Sequence, residues 1–150
     1  MKTIALRFAD RFAPEEGTIK AHQRVIDTYG FVWYGKMGNA VSESVLKELS
    51  ANENARILLI HSGKSDRYWA YIDAAQKEQP EKQYIPEYYR DNAANFKSWF
   101  RVTRFESAPS DILSQCVVPS SGNTLSYTSR HSMSPYYIID YDEPGKKTES

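Results

Sequence analysis

Three histidines and one cysteine are the side chains best suited to nucleophilic or metal chemistry: His22, His61, His131 and Cys116. Their spacing includes neither H-x3-H nor C-x2-C, the close ligand pairs that most protein zinc sites use. Cys116 precedes two valines, which predicts a buried thiol that packs as a small hydrophobe rather than a nucleophile. The sequence therefore predicts no catalytic residue, no metal site and no cofactor.

His61 and His131 are each followed by a serine, which invites comparison with the two-histidine phosphoesterases. Those enzymes need a hydroxyl two residues after each histidine, where this chain has Gly63 and Met133. The pattern fails in both copies, and an enzyme that processes nucleotides through His61 or His131 stays only as an alternative. His22 lies on the apolar side of a predicted helix, where a packed core histidine is expected.

The aromatic residues carry more information than the histidines. The chain has eleven tyrosines and three tryptophans, and each tryptophan lies in a different predicted strand. Alternate residues of a strand share a face, so about half of these aromatics are expected in the core and the others in a pocket. Aromatic walls with a few polar groups suit the capture of a flat, extruded base. The candidate pocket residues are Trp33, Tyr34, Trp69 and Trp99, with Ser62 and Ser129 as candidates for contacts to the base edge.

The charge balance argues against a protein that coats nucleic acid non-specifically, because nineteen basic and nineteen acidic side chains cancel. A local basic rim is still compatible with this balance, and an ordinary solvated charged face is the alternative. The candidate contacts to a nucleic-acid backbone are Lys36, Arg90, Lys97, Arg101, Arg104 and Arg130.

Periodicity and turn residues predict the elements that must position these side chains. Strands are predicted at 2–8, 31–36, 55–61, 67–75, 97–106 and 136–141, and 55–61 pairs with 67–75 as a hairpin through the turn at 62–66. Helices are predicted at 18–29, with Thr18 as N-cap and Gly30 as C-terminal stop, from Ser42 to Leu49, and over 109–115. The polar stretch 76–95 is predicted to be a long loop with one helical turn, and long loops in compact domains are often functional.

This order of elements predicts an α+β fold. We expect a curved mixed sheet, mostly antiparallel, of five or six strands that form a pseudo-barrel with short helices at its rim. Residues 1–141 are predicted to form one domain, and the polar stretch 142–150 a flexible tail. One cysteine and the lack of a long apolar run predict a soluble, cytoplasmic chain with no membrane partner.

The aromatic strands resemble the EVE-like branch of the PUA superfamily, which is related to YTH and SRA domains. The similarity spans roughly residues 28–141 and rests on the segments 30–36, 57–60, 68–72 and 98–102. It implies a five- or six-stranded pseudo-barrel that reads a modified nucleobase in an aromatic-lined pocket. Prokaryotic EVE-like domains often accompany modification-dependent restriction systems, so the resemblance also implies a link to prokaryotic defence. The alternative from the residues themselves is an interaction protein whose exposed aromatics contact a protein partner.

Overall fold

A six-stranded mixed sheet forms the centre of the protein. The computed structural model describes residues 2–10, 13–36, 40–132, 134 and 136–142. The strands lie in the order β2-β5-β4-β3-β1-β6, and only β1 and β3 pair in parallel. The strands are β1 (Lys2–Phe8), β2 (Val32–Lys36), β3 (Arg56–His61), β4 (Arg67–Gln76), β5 (Ser98–Ala108) and β6 (Tyr137–Asp140).

Short helices connect the strands. Two of them match the predicted helices closely, and the loop between β4 and β5 contains two 3-10 helices. The helices are α1 (Thr18–Tyr29), α2 (Glu43–Ala51), α3 (Ile112–Gln115) and α4 (Leu125–His131), and the 3-10 helices are Lys82–Tyr84 and Glu87–Asn95. We call the second of these, Glu87–Asn95, the 3-10 segment.

Of the three helix ends for which the sequence predicts a capping or stop residue, two are formed as predicted. Ser42 accepts a hydrogen bond from the Val45 amide, and Gly30 ends α1 in the left-handed conformation with φ of 87°. The prediction that Thr18 caps α1 was wrong. Gly17 is the N-cap residue, and the carboxylate of Asp10, from the preceding loop, accepts from the Thr18 amide at 2.9 Å.

The two faces of the sheet carry separate cores, which explains the apolar run of β3. Leu58 and Ile60 pack on one face with Trp69, α3, α4 and β6, whereas Ile57 and Leu59 pack on the other face beneath α1 and α2. A strand buried on both faces needs apolar residues at consecutive positions. A third cluster forms where Ile85 and the 3-10 segment pack on β2 and β5.

The sheet is curved but does not close. Leu6 and Phe8 of β1 belong to the same buried cluster as Tyr34 of β2, although three strands separate β1 from β2 in the sheet. Strand twist must therefore curl the sheet around this core. Within the described residues β2 and β6 are edge strands, so the predicted pseudo-barrel is corrected to an open, curled sheet.

The predicted sheet is otherwise confirmed. All six strands exist, and 31–36, 55–61, 67–75 and 97–106 lie in one sheet with an antiparallel hairpin between β3 and β4. Helix α4 was not predicted, and residues 143–150 of the predicted tail lie outside the described residues. Among the helices that the structure describes, none is long and apolar enough to cross a bilayer.

Candidate aromatic cavity

A cavity of about 560 Å³ opens where the curled sheet brings β1 near β2. Its walls come from the end of β1, the first residue of α1, the end of β2 and the 3-10 segment. Five aromatic rings line it, those of Phe8, Tyr34, Tyr88, Tyr89 and Phe96. This volume lies within the range typical of small-molecule pockets, about 300–1,000 Å³.

Polar groups from three elements also line the aromatic cavity. Thr18 and Lys36 are buried, whereas Asn92 and Asn95 are exposed at the rim. The two asparagines are three residues apart on the 3-10 segment, a spacing that places their amides on one side of a 3-10 helix. An amide offers two donors and an acceptor, so this rim can read the hydrogen-bonding edge of a planar ligand.

Buried aromatic contacts hold the tyrosines in place. The ring of His22, on α1, lies 5.0 Å from the ring centroids of both Tyr34 and Tyr89, and Tyr88 packs against Tyr89 at 4.7 Å. His22 Nδ1 donates to the Thr18 carbonyl at 2.8 Å, which fixes the orientation of the ring. Helix α1 therefore supports the wall that the 3-10 segment and β2 provide.

The cavity tyrosines are neutral hydrogen-bonding groups. Burial raises the pKa of Tyr34 far above its usual range, with smaller contributions from Tyr88 and Asp10. Burial also raises the pKa of Tyr89 and of Tyr88. Their hydroxyls can therefore donate to a ligand without carrying a charge.

Two of the described residues that line the cavity are cations, Arg7 of β1 and Lys36 of β2. Lys36 is only 5% exposed, and its Nζ lies 5.7 Å from the ring centroid of Tyr136. Burial lowers its pKa. A buried ammonium in a cavity is an electrostatic donor for an anionic or carbonyl group of a ligand.

Gly35 allows the cavity wall to form. A Cβ atom at this position would lie 2.9 Å from Cδ2 of Phe96 and 2.9 Å from Cζ3 of Trp99. The absence of a side chain therefore lets both rings pack against β2, and one of them, Phe96, faces the cavity.

The three tryptophans are all buried, and the structure does not bring them together. They are 8% (Trp33), 3% (Trp69) and 0% (Trp99) exposed. Trp33 and Trp99 pack in the cluster behind the 3-10 segment, whereas Trp69 packs on the opposite side with α3, α4 and β6. Of the four aromatic residues predicted for the pocket, only Tyr34 lines the aromatic cavity.

The other predicted site residues occupy several different places. Ser62, Ser129 and Arg130 line a smaller groove beside the turn between β3 and β4. Arg101 forms two hydrogen bonds with the carboxylate of Asp73, at 2.7 and 3.1 Å, and Arg104 lies over the ring of Tyr71 at 3.9 Å. Lys36 lines the cavity, Arg90 donates to the carbonyl of Lys82, and Lys97 is exposed.

The two histidines of the enzyme alternative differ in their surroundings. His61 lies between two carboxylates, with Nε2 2.8 Å from Asp10 and Nδ1 2.9 Å from Asp66. His131 is exposed and packs on Tyr127, with ring centroids 4.3 Å apart.

Cys116 is buried, and burial raises its pKa to about 12 although Arg56 opposes this. The described residues contain no group of three or more potential metal ligands.

Sequence reasoning missed most of the cavity residues. Thr18, Tyr88, Tyr89, Asn92 and Asn95 were not among the candidates. The available signal was the length of the polar stretch 76–95, because long loops in compact domains are often functional. Arg90 was the one residue of this stretch that was predicted as a ligand contact.

Comparison with known proteins identifies a family for nearly the whole chain. A family model described as Pua-like matches residues 4–143, a wider range than the resemblance at 28–141, so β1 and α1 belong to the shared domain. No curated protein and no solved structure gives a significant match. Pua-like domains commonly bind nucleic acids, which agrees with the nucleic-acid partner predicted from the sequence. On the match over residues 4–143, the chain belongs to the Pua-like family.

Proposed function

We propose that this protein binds one nucleobase, flipped out of a nucleic acid, in the aromatic cavity and does not transform it chemically. The observation that carries the proposal is the cavity itself, with five aromatic rings around about 560 Å³ and polar groups at its rim. Family membership supports a nucleic-acid ligand, and the cavity supports a base as the part of the ligand that is read.

The free energy of binding is favourable only if several contacts together outweigh the cost of extruding the base. Extruding a base from its stack costs a few kcal/mol, and stacking on one aromatic side chain returns about 1–3 kcal/mol. Tyr88 is the best candidate for that stacking partner, because it lines the cavity and is only partly buried. Tyr89 also lines the cavity, but its ring already packs against His22 and Phe96. The amides of Asn92 and Asn95 and the ammonium of Lys36 would then supply edge contacts.

We propose further that the base in the cavity is a modified one. The cavity offers apolar ring surface on several sides and polar groups on the 3-10 segment. A methyl or similar substituent would bury apolar area against the rings, at about 25 cal/mol per Å². Discrimination between a modified and an unmodified base would then reflect that burial together with any hydrogen bond that the substituent changes.

The test is a binding measurement on short single-stranded DNA and RNA oligonucleotides that differ only in the base at the central position. A set with N6-methyladenine, 5-methylcytosine or 5-hydroxymethylcytosine is compared with the unmodified oligonucleotides by fluorescence anisotropy. We expect at least one modified base to bind more tightly than its unmodified parent. We also expect Tyr88→Ala to weaken that binding by about 1–3 kcal/mol, or roughly 5- to 150-fold.

The matched control is Tyr29→Ala, because Tyr29 is 47% exposed and lies outside the cavity lining. It should bind like the wild type, and both variants should unfold cooperatively. If Tyr88→Ala binds every oligonucleotide as tightly as the wild type does, the cavity is not the base site.

A nucleotide-processing enzyme that uses His61 is the second candidate, because this histidine is paired with carboxylates. Both ring nitrogens already contact a carboxylate oxygen, within 2.9 Å, so neither has a free lone pair or proton for a substrate. This arrangement supports a structural role. Incubation with nucleotides and modified oligonucleotides, followed by mass spectrometry, should show no turnover, and turnover lost in His61→Gln would favour the enzyme.

A further inference from the structure

A small basic groove lies beside the turn between β3 and β4, next to the aromatic cavity, with which it shares Arg7. Its volume is about 260 Å³, and its walls come from β1, the turn, the start of β4 and α4. Four cations and two serines define what we call the basic groove: Arg7, Lys64, Arg67, Arg130, Ser62 and Ser129. None of the described residues that line it is an aspartate or a glutamate.

The cations of the basic groove form no ion pair within the described part of the chain. None of the four forms a salt bridge with a residue that the structure describes, whereas Arg24, Arg101 and Arg104 all do. Asp66 precedes Arg67 in the chain, and its carboxylate contacts His61 and Tyr68. Four positive side chains therefore share a groove in a protein whose total charge is zero.

Two guanidinium groups of the groove are held rigidly by backbone carbonyls. Arg7 Nη2 donates to the carbonyl of Ser129 and, at 3.1 Å, to the hydroxyl of Tyr137. Arg67 Nη1 donates to the carbonyls of Lys64 and Asp66 at 2.8 and 3.0 Å. These contacts fix the orientation of both groups but consume only part of their donors.

The remaining donors include two that are buried without a partner. The Nε atoms of Arg7 and Arg67 have no hydrogen-bond acceptor among the described residues. Burial lowers the pKa of Arg67, Asp66 opposes this, and the positive charge of Arg7 lowers the pKa further, so the two guanidinium groups repel each other. Like charges and unpaired donors cost free energy, and an anion bound in the groove would offset both costs.

We propose that the basic groove binds a phosphate group. Arginines whose orientation is fixed suit phosphate because the planar guanidinium can donate two parallel hydrogen bonds to its oxygens. Lys64 and Arg130 are exposed and add charge at the rim, and the hydroxyls of Ser62 and Ser129 are further donors.

The position of the groove favours the backbone of a nucleic acid as the source of the phosphate. Arg7, near the end of β1, lines both the basic groove and the aromatic cavity. The two sites therefore adjoin each other at that end of the strand. A chain crossing that end of the sheet could contact both, and this part of the proposal rests on the proposed function.

The experiment uses the double variant Lys64→Ala/Arg130→Ala and the matched control Lys20→Ala/Lys47→Ala. All four lysine and arginine residues are exposed, and both double variants remove two positive charges. Inorganic phosphate is titrated against each protein and followed by amide chemical shifts in NMR. We expect saturable shifts at Ser62, Ser129 and their neighbours in the wild type and the control. The groove variant should bind phosphate about tenfold more weakly, the loss expected for one charge-assisted hydrogen bond.

A second arm distinguishes the sources of phosphate. Oligonucleotide binding is measured over a range of salt concentrations, where each phosphate contact contributes about 0.7 to the logarithmic slope for a single strand. A shallower slope in the groove variant alone supports a nucleic-acid backbone. An unchanged slope with weaker binding of inorganic phosphate supports a small phosphorylated ligand instead.

Two outcomes separate this proposal from the base-binding one. If inorganic phosphate shifts no groove signal in the wild type, or shifts them equally in the groove variant, the phosphate site is disproved. Loss of base discrimination in Tyr88→Ala depends on neither result. The two proposals can therefore fail independently.

Discussion

The imidazole of His61 lies flat against the ring of Phe8, with centroids 4.5 Å apart and ring planes 17° apart. Parallel pairing of β1 with β3 places these two residues side by side at the strand ends. Asp10 and Asp66 then contact the two nitrogens of the imidazole, and Asp10 also accepts from the first amide of α1. This arrangement joins two strands to the helix that supports the aromatic cavity.

The first prediction concerns this carboxylate–histidine arrangement at low pH. Burial raises the pKa of Asp10, but the hydrogen bonds from Thr18 and the contact with His61 together outweigh burial, so the pKa is lowered overall. The hydrogen bond with His61 lowers the pKa of Asp66. A lowered pKa stabilises the fold above about pH 4, and this contribution is lost as the pH falls through the folded-state value. The free energy of unfolding should therefore decrease below about pH 4.

The variant Asp10→Asn keeps an oxygen that can accept from Thr18 but removes the ion pair. It should lower stability at pH 7 by at most about 1 kcal/mol, because the pair is partly exposed, and it should unfold with a shallower acid dependence. Urea denaturation between pH 2.5 and 7 measures both effects. Asp27→Asn, on the exposed side of α1, is the control, and an acid dependence identical to that of Asp10→Asn would refute the prediction.

The second prediction concerns His22, which lies wholly buried behind the cavity tyrosines. Burial lowers its pKa to about 4, against the opposing effect of the Thr18 carbonyl. The unfolded chain binds a proton at this histidine below about pH 6.5, while the folded chain does not until about pH 4. Stability should therefore fall as the pH drops through this interval, by about 3 kcal/mol in all.

Replacing His22 by Phe removes the titrating group and keeps a ring among the aromatic residues. Urea melts of His22→Phe should show a flatter pH dependence between 4.5 and 6.5 than the wild type. His131→Phe, at an exposed position, should keep the wild-type dependence. An unchanged slope in His22→Phe would mean that another group controls stability in this range.

Local patterns in the sequence predicted every strand and two of the longer helices, because alternation and capping act over a few residues. Ser42 capped its helix as predicted, whereas Thr18 did not, since its amide is bound by Asp10 from outside the helix. The parallel pairing of β1 with β3 was not predicted, because the sequence offers no local sign of which strands meet after a crossover. Helix α4 was missed because its seven residues are mostly polar.

The candidate site was less predictable than the fold. Adjacent strand residues such as Trp33 and Tyr34 face opposite sides, and composition does not reveal which side is buried. The cavity depends on curvature that brings β1 near β2 across three intervening strands. It also depends on the packing of the 3-10 segment. Both are long-range properties, so the sequence indicated an aromatic pocket but not the residues that line it.

The third prediction concerns Gly35. Alanine at this position would place its Cβ 2.9 Å from two aromatic rings, and the Trp99 ring is too deeply buried to move away. Such overpacking should cost about 1–3 kcal/mol of stability and push Phe96 toward the cavity. Denaturant melts and oligonucleotide binding should both be impaired. Gly122→Asn, at a turn glycine with open space around it and φ of 77°, should cost less than about 1 kcal/mol.

The last prediction concerns the three tryptophans, which the sequence placed in the ligand pocket. Each is buried, and each makes specific contacts in a core. Trp69 lies 4.1 Å from the guanidinium of Arg56, and Trp99 meets Phe96 edge-on at 5.3 Å. Replacing any of them by alanine should therefore cost about 3–5 kcal/mol of stability.

Their effects on binding should differ with their position. Trp33 and Trp99 pack behind Phe96 and the 3-10 segment, so their loss should weaken base binding together with stability. Trp69 packs on the other side of the sheet, so Trp69→Ala should bind normally under conditions where it remains folded. Denaturant melts and anisotropy titrations on these variants and on Tyr88→Ala provide the comparison. Because Tyr88 is only partly buried, its loss should reduce binding with little change in stability. The opposite pattern, with Trp69→Ala losing affinity at full stability, would place the base near Trp69 and overturn our assignment of the aromatic cavity.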